Sequence, residues 1–253
     1  MSSVHPPHLL TASARSFVYT EKSSPASTNL QFLTYGTYEL EGAITSGNLS
    51  HAGEEALLFS LKGKTTVELD GRSFPMGHYD VLYVPKGMTY RIRQDGGQSR
   101  LVVCRATATN VHPVFHASWE KFSKDEKRIR HLKGKDVFLM FDVSEGADKL
   151  IAGFTLFQAG QRSWPPHNHT DQEEIYIFTR GRGSMEVYAE EETKSFVRSV
   201  SEGDAVTIPF LNYHPVFSQE EELDFIWCIA GNRYWVGDKN KAFMTGSVDK
   251  LTT

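Results

Sequence analysis

The chain reads as an all-β protein built from two tandem jelly-roll β-barrels with short linker helices between them. Two observations predict this. The first is an internal duplication. Leu61-Lys-Gly63-Lys-Thr-Thr-Val-Glu-Leu69 is matched by Thr179-Arg-Gly181-Arg-Gly-Ser-Met-Glu-Val187, and Asp80-Val-Leu-Tyr-Val-Pro85 by Asp204-Ala-Val-Thr-Ile-Pro209. The cysteines share the offset of the second match: Cys104 and Cys228 lie 124 residues apart, in Val-Val-Cys104-Arg-Ala and Ile-Trp-Cys228-Ile-Ala. Gly63 and Gly181 are 118 apart, and a longer hairpin tip around Ala189–Lys194 accounts for the difference.

The second observation is local. Short runs rich in Val, Ile, Tyr and Phe are punctuated by Gly, Asp and Pro: Leu57–Leu61, Thr65–Leu69, Val81–Val84 and Leu101–Cys104, then Phe154–Phe157, Ile175–Thr179, Ser184–Tyr188, Ala205–Ile208 and Asp224–Ile229. Asp70-Gly71 is a hairpin signal. Many short strands at this spacing, given twice, predict a jelly roll in each half. The expected division is a first barrel over 1–115, a linker over 116–145 and a second barrel over 146–253. The linker expectation rests on Ser118–Lys133, which is charged, with scattered Trp119, Phe122, Ile129 and Leu132.

Composition narrows the partners. With 253 residues, 40% hydrophobic and 23% charged, the chain can bury a core in each of two units. A net charge of −4 and no segment of dense Lys/Arg interleaved with aromatics argue against nucleic acid. No apolar run has membrane-spanning length, and the first residues lack a signal-peptide core, so a cytoplasmic location is expected. Two cysteines make no disulfide framework and are expected as small buried hydrophobes on equivalent strands.

Chemistry concentrates in Pro166-His167-Asn-His169-Thr-Asp-Gln-Glu-Glu174-Ile-Tyr176. On a strand, two histidines two apart share a face. Glu174 has the wrong parity for that strand, so Thr170-Asp171-Gln172 is expected to turn, returning Glu174 to the same interior. Tyr176 and Phe178 then continue its face, and Glu173 is turned outward. His214, in Pro209-Phe-Leu-Asn-Tyr213-His214-Pro215, is the fourth candidate. Three imidazoles and a carboxylate form a mixed set suited to a divalent Zn, Mn, Fe, Ni or Co ion. The first copy lacks the set: Tyr90 stands at the place of His214, no His-x-His precedes Glu54-Glu55, and His51 reads as a lone loop histidine. One metal site per chain is expected.

With Gly160, Gly181, Gly203 and Pro209 around them, these residues resemble the two motifs of the cupin superfamily, G-x5-H-x-H-x3–4-E-x6-G and G-x5-P-x-G-x2-H-x3-N. The chain departs in having six residues before His167, Leu211 for a motif glycine and Ser218 for the terminal Asn. Longer strings look narrower still. Trp-Pro-Pro166-His167-Asn-His169, Tyr213-His214-Pro215-Val216 and, in the first half, Gly53–Val67 and Leu82–Gly87 resemble the 5-deoxy-glucuronate isomerases of inositol catabolism and their relatives, the 5-keto-4-deoxyuronate isomerases.

That resemblance implies a bicupin aldose–ketose isomerase acting on a deoxy-uronic acid through an enediolate, with the metal in the second barrel and a homodimer or larger assembly. Tyr176 and Tyr213, as neighbours of ligands, are the catalytic candidates. Arg162 and Arg233 are candidate partners for the acid's carboxylate, and Trp164 for its ring. A metal-dependent dioxygenase and a non-enzymatic sugar-acid-binding cupin are the alternatives.

Overall fold

The computed structural model describes residues 17–163, 166–190 and 192–234. Among them the chain is nearly all strand. The first half holds β1 (Phe17–Ser23), β2 (Thr34–Glu41), β3 (Ile44–Thr45), β4 (Leu49–Ser50), β5 (Glu54–Lys62), β6 (Thr65–Leu69), β7 (Arg72–Met76), β8 (Val81–Val84), β9 (Thr89–Gln94), β10 (Gln98–Thr107) and β11 (Phe115–Ala117). A four-residue helix, α1 (Trp119–Phe122), and a 3-10 turn, Glu126–Arg128, follow. The second half holds β12 (Ile129–Leu132), β13 (Lys135–Phe141), β14 (Leu150–Phe157), β15 (Gln172–Arg180), β16 (Arg182–Val187), β17 (Phe196–Ser201), β18 (Ala205–Ile208), β19 (Val216–Ser218) and β20 (Leu223–Gly231).

Each half is a jelly roll of two antiparallel sheets. In the first, the six-stranded sheet β1-β2-β10-β5-β8-β11 faces a smaller one of β3, β4, β9, β6 and β7. In the second, β12-β13-β14-β20-β15-β18 faces β17-β16-β19. The orders β1-β2-β10-β5-β8 and β13-β14-β20-β15-β18 are the same, which is the duplication seen as topology. The stretch expected as linker, 116–145, therefore supplies β12 and β13 to the second sheet. Val137–Phe141 is buried on both faces, so the polar alternation that marks a half-exposed strand is missing there.

Three cores follow from these layers. Leu58, Val67, Ile92 and Val103 fill the first roll, and Met185, Val187, Val206 and Phe225 the second. A third core lies between the two large sheets, whose outer faces pack together through Leu57, Phe59, Val102, Phe154, Ile175 and Ile226. Cys104 and Cys228 are buried there, unbridged, each thiol close to the other across the seam.

Candidate metal centre

Strand β15 begins at Gln172 after a bend at Thr170-Asp171 and is buried along both faces through Phe178. Alternation sends Tyr176 and Phe178 into the second roll and Ile175 and Ile177 into the seam. Glu174 shares the inward parity. Glu173 points out of the roll, as alternation requires, but not into solvent: it is 1% exposed in the seam. Its carboxylate accepts the backbone N–H groups of Gln31 and Phe32, both at 2.6 Å, and of Leu33.

Residues 166–169 form no strand, contrary to the His-x-His expectation. The backbone there is irregular, anchored by the Leu211 N–H to His169 O bond of 2.7 Å. The imidazoles nevertheless meet. Ring centroids lie 5.2 Å apart for His167–His169, 4.4 Å for His167–His214 and 5.3 Å for His169–His214. One nitrogen from each ring falls within 4.8 Å of the others. Glu174 Oε2 sits 3.2 Å from His169 Nε2 and 3.1 Å from His214 Nε2. His214 arrives from the loop before β19, and Tyr213, next to it, bridges to Tyr188.

The hydrogen bonding of His214 carries most of the argument for a cation. Its Nδ1 lies 2.9 Å from the Asn212 carbonyl, which can only accept, so Nδ1 bears the proton. In the neutral ring Nε2 then presents a lone pair to a carboxylate oxygen, and two lone pairs at hydrogen-bond distance repel unless a cation is shared between them. His169 Nε2, His214 Nε2 and Glu174 Oε2 are all buried without a hydrogen-bond partner. Burial lowers the pKa of His167 well below the usual range, with His214, His169 and Lys135 adding to it. Burial alone would raise that of Glu174, but the His169 and His214 rings bring it below the ordinary value. Three imidazole nitrogens and a carboxylate oxygen that converge at one place are a donor set that fits a divalent ion.

The set opens on a cavity inside the second roll. Val137, Phe157, Val216, Phe225, Trp227 and Ile229 make most of the wall apolar. Tyr176 lines it, stacked on Phe225 at 4.4 Å and edge-on to His214 at 5.6 Å. Burial, with Glu174 nearby, pushes the Tyr176 phenol well above its ordinary pKa, so it holds its proton.

The other sequence candidates sit elsewhere. Tyr213 stacks on Tyr188, centroids 5.5 Å apart, and does not line the cavity. Arg162 is exposed, its guanidinium 4.9 Å above Phe217 on an outer face. Arg233 is committed to backbone: Nε donates to Leu150 O at 2.9 Å, Nη1 to Glu145 O at 2.6 Å and Nη2 to Asp142 O at 2.5 Å. These two arginines are placed away from the cavity because loop positions near a barrel end carry no direction in sequence. Trp164 lies outside the described residues.

Lys135, which the sequence reading did not single out, lines the cavity instead. It sits in His131-Leu-Lys-Gly-Lys135-Asp136, a charged hairpin that reads as surface. Only its shared parity with Val137 and Leu139, both in the interior core, reveals the direction of its side chain. Desolvation lowers its ammonium to about 8, with Glu174 opposing.

The first roll holds a different arrangement at the related place. At the offsets of the repeat, His51 stands for His169, Tyr90 for His214, Leu49 for His167 and Ala56 for Glu174. His51 is not a loose loop residue. Its Nε2 lies 2.9 Å from Tyr90 Oη and its Nδ1 3.2 Å from Arg105, and Tyr38 Oη is 2.8 Å from Tyr90 Oη. Burial first, and Arg105 second, lower His51 to about 4. Among the described residues no three-ligand cluster forms there.

Two jelly rolls back to back, the second enclosing three histidines and a glutamate at the head of an apolar cavity, define a bicupin. The chain belongs to the KduI/IolB family, whose family model matches residues 8–244. It is 25% identical over 191 residues to the 4-deoxy-L-threo-5-hexosulose-uronate ketol-isomerase of Opitutus terrae, covering 69% of this chain and 66%, just under two thirds, of that relative. It is 24% identical over 233 residues to the 5-deoxy-glucuronate isomerase of Listeria monocytogenes, covering 80% of this chain and 82% of the relative. Among solved structures it is similar to an IolB-like protein from Salmonella typhimurium LT2, with a TM-score of 0.74 and 19% identity over 89% of this chain and 94% of that one. Among the described residues no helix is long and apolar enough to cross a membrane.

Proposed function

We propose that the protein is a metal-dependent aldose–ketose isomerase of a deoxy-uronic acid, of the 5-deoxy-glucuronate type used in inositol catabolism. The observation that supports this most is the buried His214 lone pair facing Glu174 Oε2, flanked by His167 and His169, in a chain whose relatives carry uronate and deoxy-glucuronate isomerase names. His167, His169, Glu174 and His214 would hold the ion, and Zn, Mn, Fe, Ni and Co all suit the set. A divalent metal there supplies a Lewis acid for the negative charge that grows on adjacent carbonyl and hydroxyl oxygens as a proton moves between carbons.

The protein's own groups contribute the rest. The Asn212 carbonyl fixes the tautomer and direction of His214. Tyr176, holding its proton within the cavity, is a donor to a substrate oxygen rather than a base at neutral pH. Trp227, Phe225 and Ile229 keep bulk water away from the developing charge, which strengthens each polar contact. Tyr213, stacked on Tyr188, does not line the cavity.

The test is NMR detection of solvent deuterium entering a panel of deoxy-uronic acids, with metal content measured on the same samples. Wild-type protein is expected to carry one equivalent of metal and to exchange one carbon-bound proton. His167→Ala, His169→Ala and His214→Ala should each lose the metal and at least about 100-fold in rate, Tyr176→Phe should slow the rate, and Tyr213→Phe should stay near wild type. Exchange that survives in all three histidine variants overturns the reading. Oxygen uptake with Fe(II) in place of exchange would move the site to dioxygenase chemistry, and a tightly bound acid that never exchanges would make the protein a sugar-acid binder. Sedimentation would report whether a homo-oligomer forms.

A further inference from the structure

We propose that Lys135 is the residue that recognises the carboxylate of the substrate, and so sets the preference of this cavity for sugar acids over neutral sugars. The inference rests on the isomerase reading and deepens it. A sugar acid presents two poles, a carbonyl–hydroxyl pair at one end and a permanent anion at the other. The cavity has matching poles. From Glu174 and Ile229, cross-strand neighbours of β15 and β20, its wall descends through Tyr176 and Trp227, then Phe225 and Thr155, and ends at Phe157 and Lys135.

Lys135 opens β13 opposite Phe157, on the interior parity of Val137 and Leu139, and its ammonium lies 5.9 Å from the Phe157 ring. It is near enough to the ligand set to act electrostatically on Glu174 and His167. Among the described residues that line the cavity, it is the one Lys or Arg. The two arginines in a position to compete are elsewhere, Arg162 over Phe217 and Arg233 on backbone carbonyls. An ammonium in an apolar wall interacts with an anion far more strongly than one in water does. A neutral hydroxymethyl group at that position carries no charge for the ammonium to meet.

The experiment compares wild type, Lys135→Met and Lys135→Arg. Methionine keeps the length of the side chain and suits an apolar wall, while arginine keeps the charge. Each protein, with metal content and Tm recorded, is titrated by calorimetry with glucuronate and with glucose, and kcat and KM are measured on the deoxy-uronate that wild type turns over. Wild type should prefer the acid. Lys135→Met should lose about 10- to 100-fold in affinity for the acid, little for the neutral sugar, and most of the change should fall in KM. Lys135→Arg should retain a preference. A Lys135→Met protein with native metal content and Tm that still prefers the acid as wild type does overturns the assignment and leaves the isomerase reading standing. Wild type that neither prefers nor turns over any acid overturns both.

Discussion

Leu211 holds a φ of 63°, in the left-handed region, at the place where the cupin motif has glycine. At the related position in the first roll the chain keeps that glycine, Gly87, at 72°. The reverse exchange occurs one turn earlier: Gly203 at 95° in the second roll corresponds to Tyr79 at 61° in the first. The duplicated fold thus demands the same two backbone conformations in both copies, and each copy meets one of them with a side chain that pays a steric penalty. Leu211 is 54% exposed, so its side chain recovers little by burial, yet its N–H holds His169 O and its own carbonyl receives Asn168 Nδ2 at 3.3 Å. Leu211→Gly is therefore expected to stabilise the protein by about 1 kcal/mol, read as a higher urea midpoint with unchanged m. A lower midpoint would mean that the leucine side chain contributes contacts that this account leaves out. Residue identity was legible here and conformation was not: the motif marked Leu211 as a departure, and only the backbone angle shows that the turn was retained despite it.

At the scale of elements, the site depends on how closely two strands approach. Gly153 of β14 faces Trp227 of β20, and a Cβ at Gly153 would lie 2.1 Å from Trp227 Cζ2 and 2.3 Å from the Phe138 carbonyl oxygen. The indole occupies the space a side chain would need, and so reaches the cavity wall. Gly153→Ala should cost about 1–3 kcal/mol by overpacking and perturb the activity proposed for the cavity, because Trp227 must move or the strands must part. Near wild-type stability with full activity would show that β14 and β20 separate easily. The alternation of β15 was readable in advance, since Glu174, Tyr176 and Phe178 lie two apart on one face. The irregular segment around His167 and His169 was not. Spacing by two fits a strand and the turn at Thr170-Asp171 was expected, but the backbone at His169 is held by the bond from Leu211, a residue distant in sequence.

For the whole molecule, the seam between the rolls carries a reciprocal device. Glu173 of the second roll accepts three backbone N–H groups of the segment entering β2, and Glu55 of the first accepts those of Asp148, Lys149 and Leu150, entering β14, at 2.8, 2.7 and 3.0 Å. These two glutamates lie at the 118-residue offset of the repeat. Each takes up strand-entry donors at the seam, those of Leu33 and Leu150 buried, and each belongs to the opposite half, so the halves satisfy one another. Glu173→Gln should cost about 2 kcal/mol, because a carboxamide cannot accept at both atoms and its NH₂ group meets donors. Denaturation that separates into two transitions would place the loss at the seam, whereas an unchanged midpoint would dismiss the clasp as energetically idle.

By itself the sequence determined the duplication, the all-β class, the four residues that meet at the head of the cavity and the asymmetry between the rolls. Each of these is written in residue type and short-range spacing, through alternation, glycine positions and donor chemistry. Tertiary structure alone decided that Glu173 clasps the seam, that Arg233 serves the backbone, and that Lys135 faces the cavity. A charged side chain carries the same letter whether it meets water, a carbonyl or a cavity, and its surroundings come from strands brought together across more than a hundred residues.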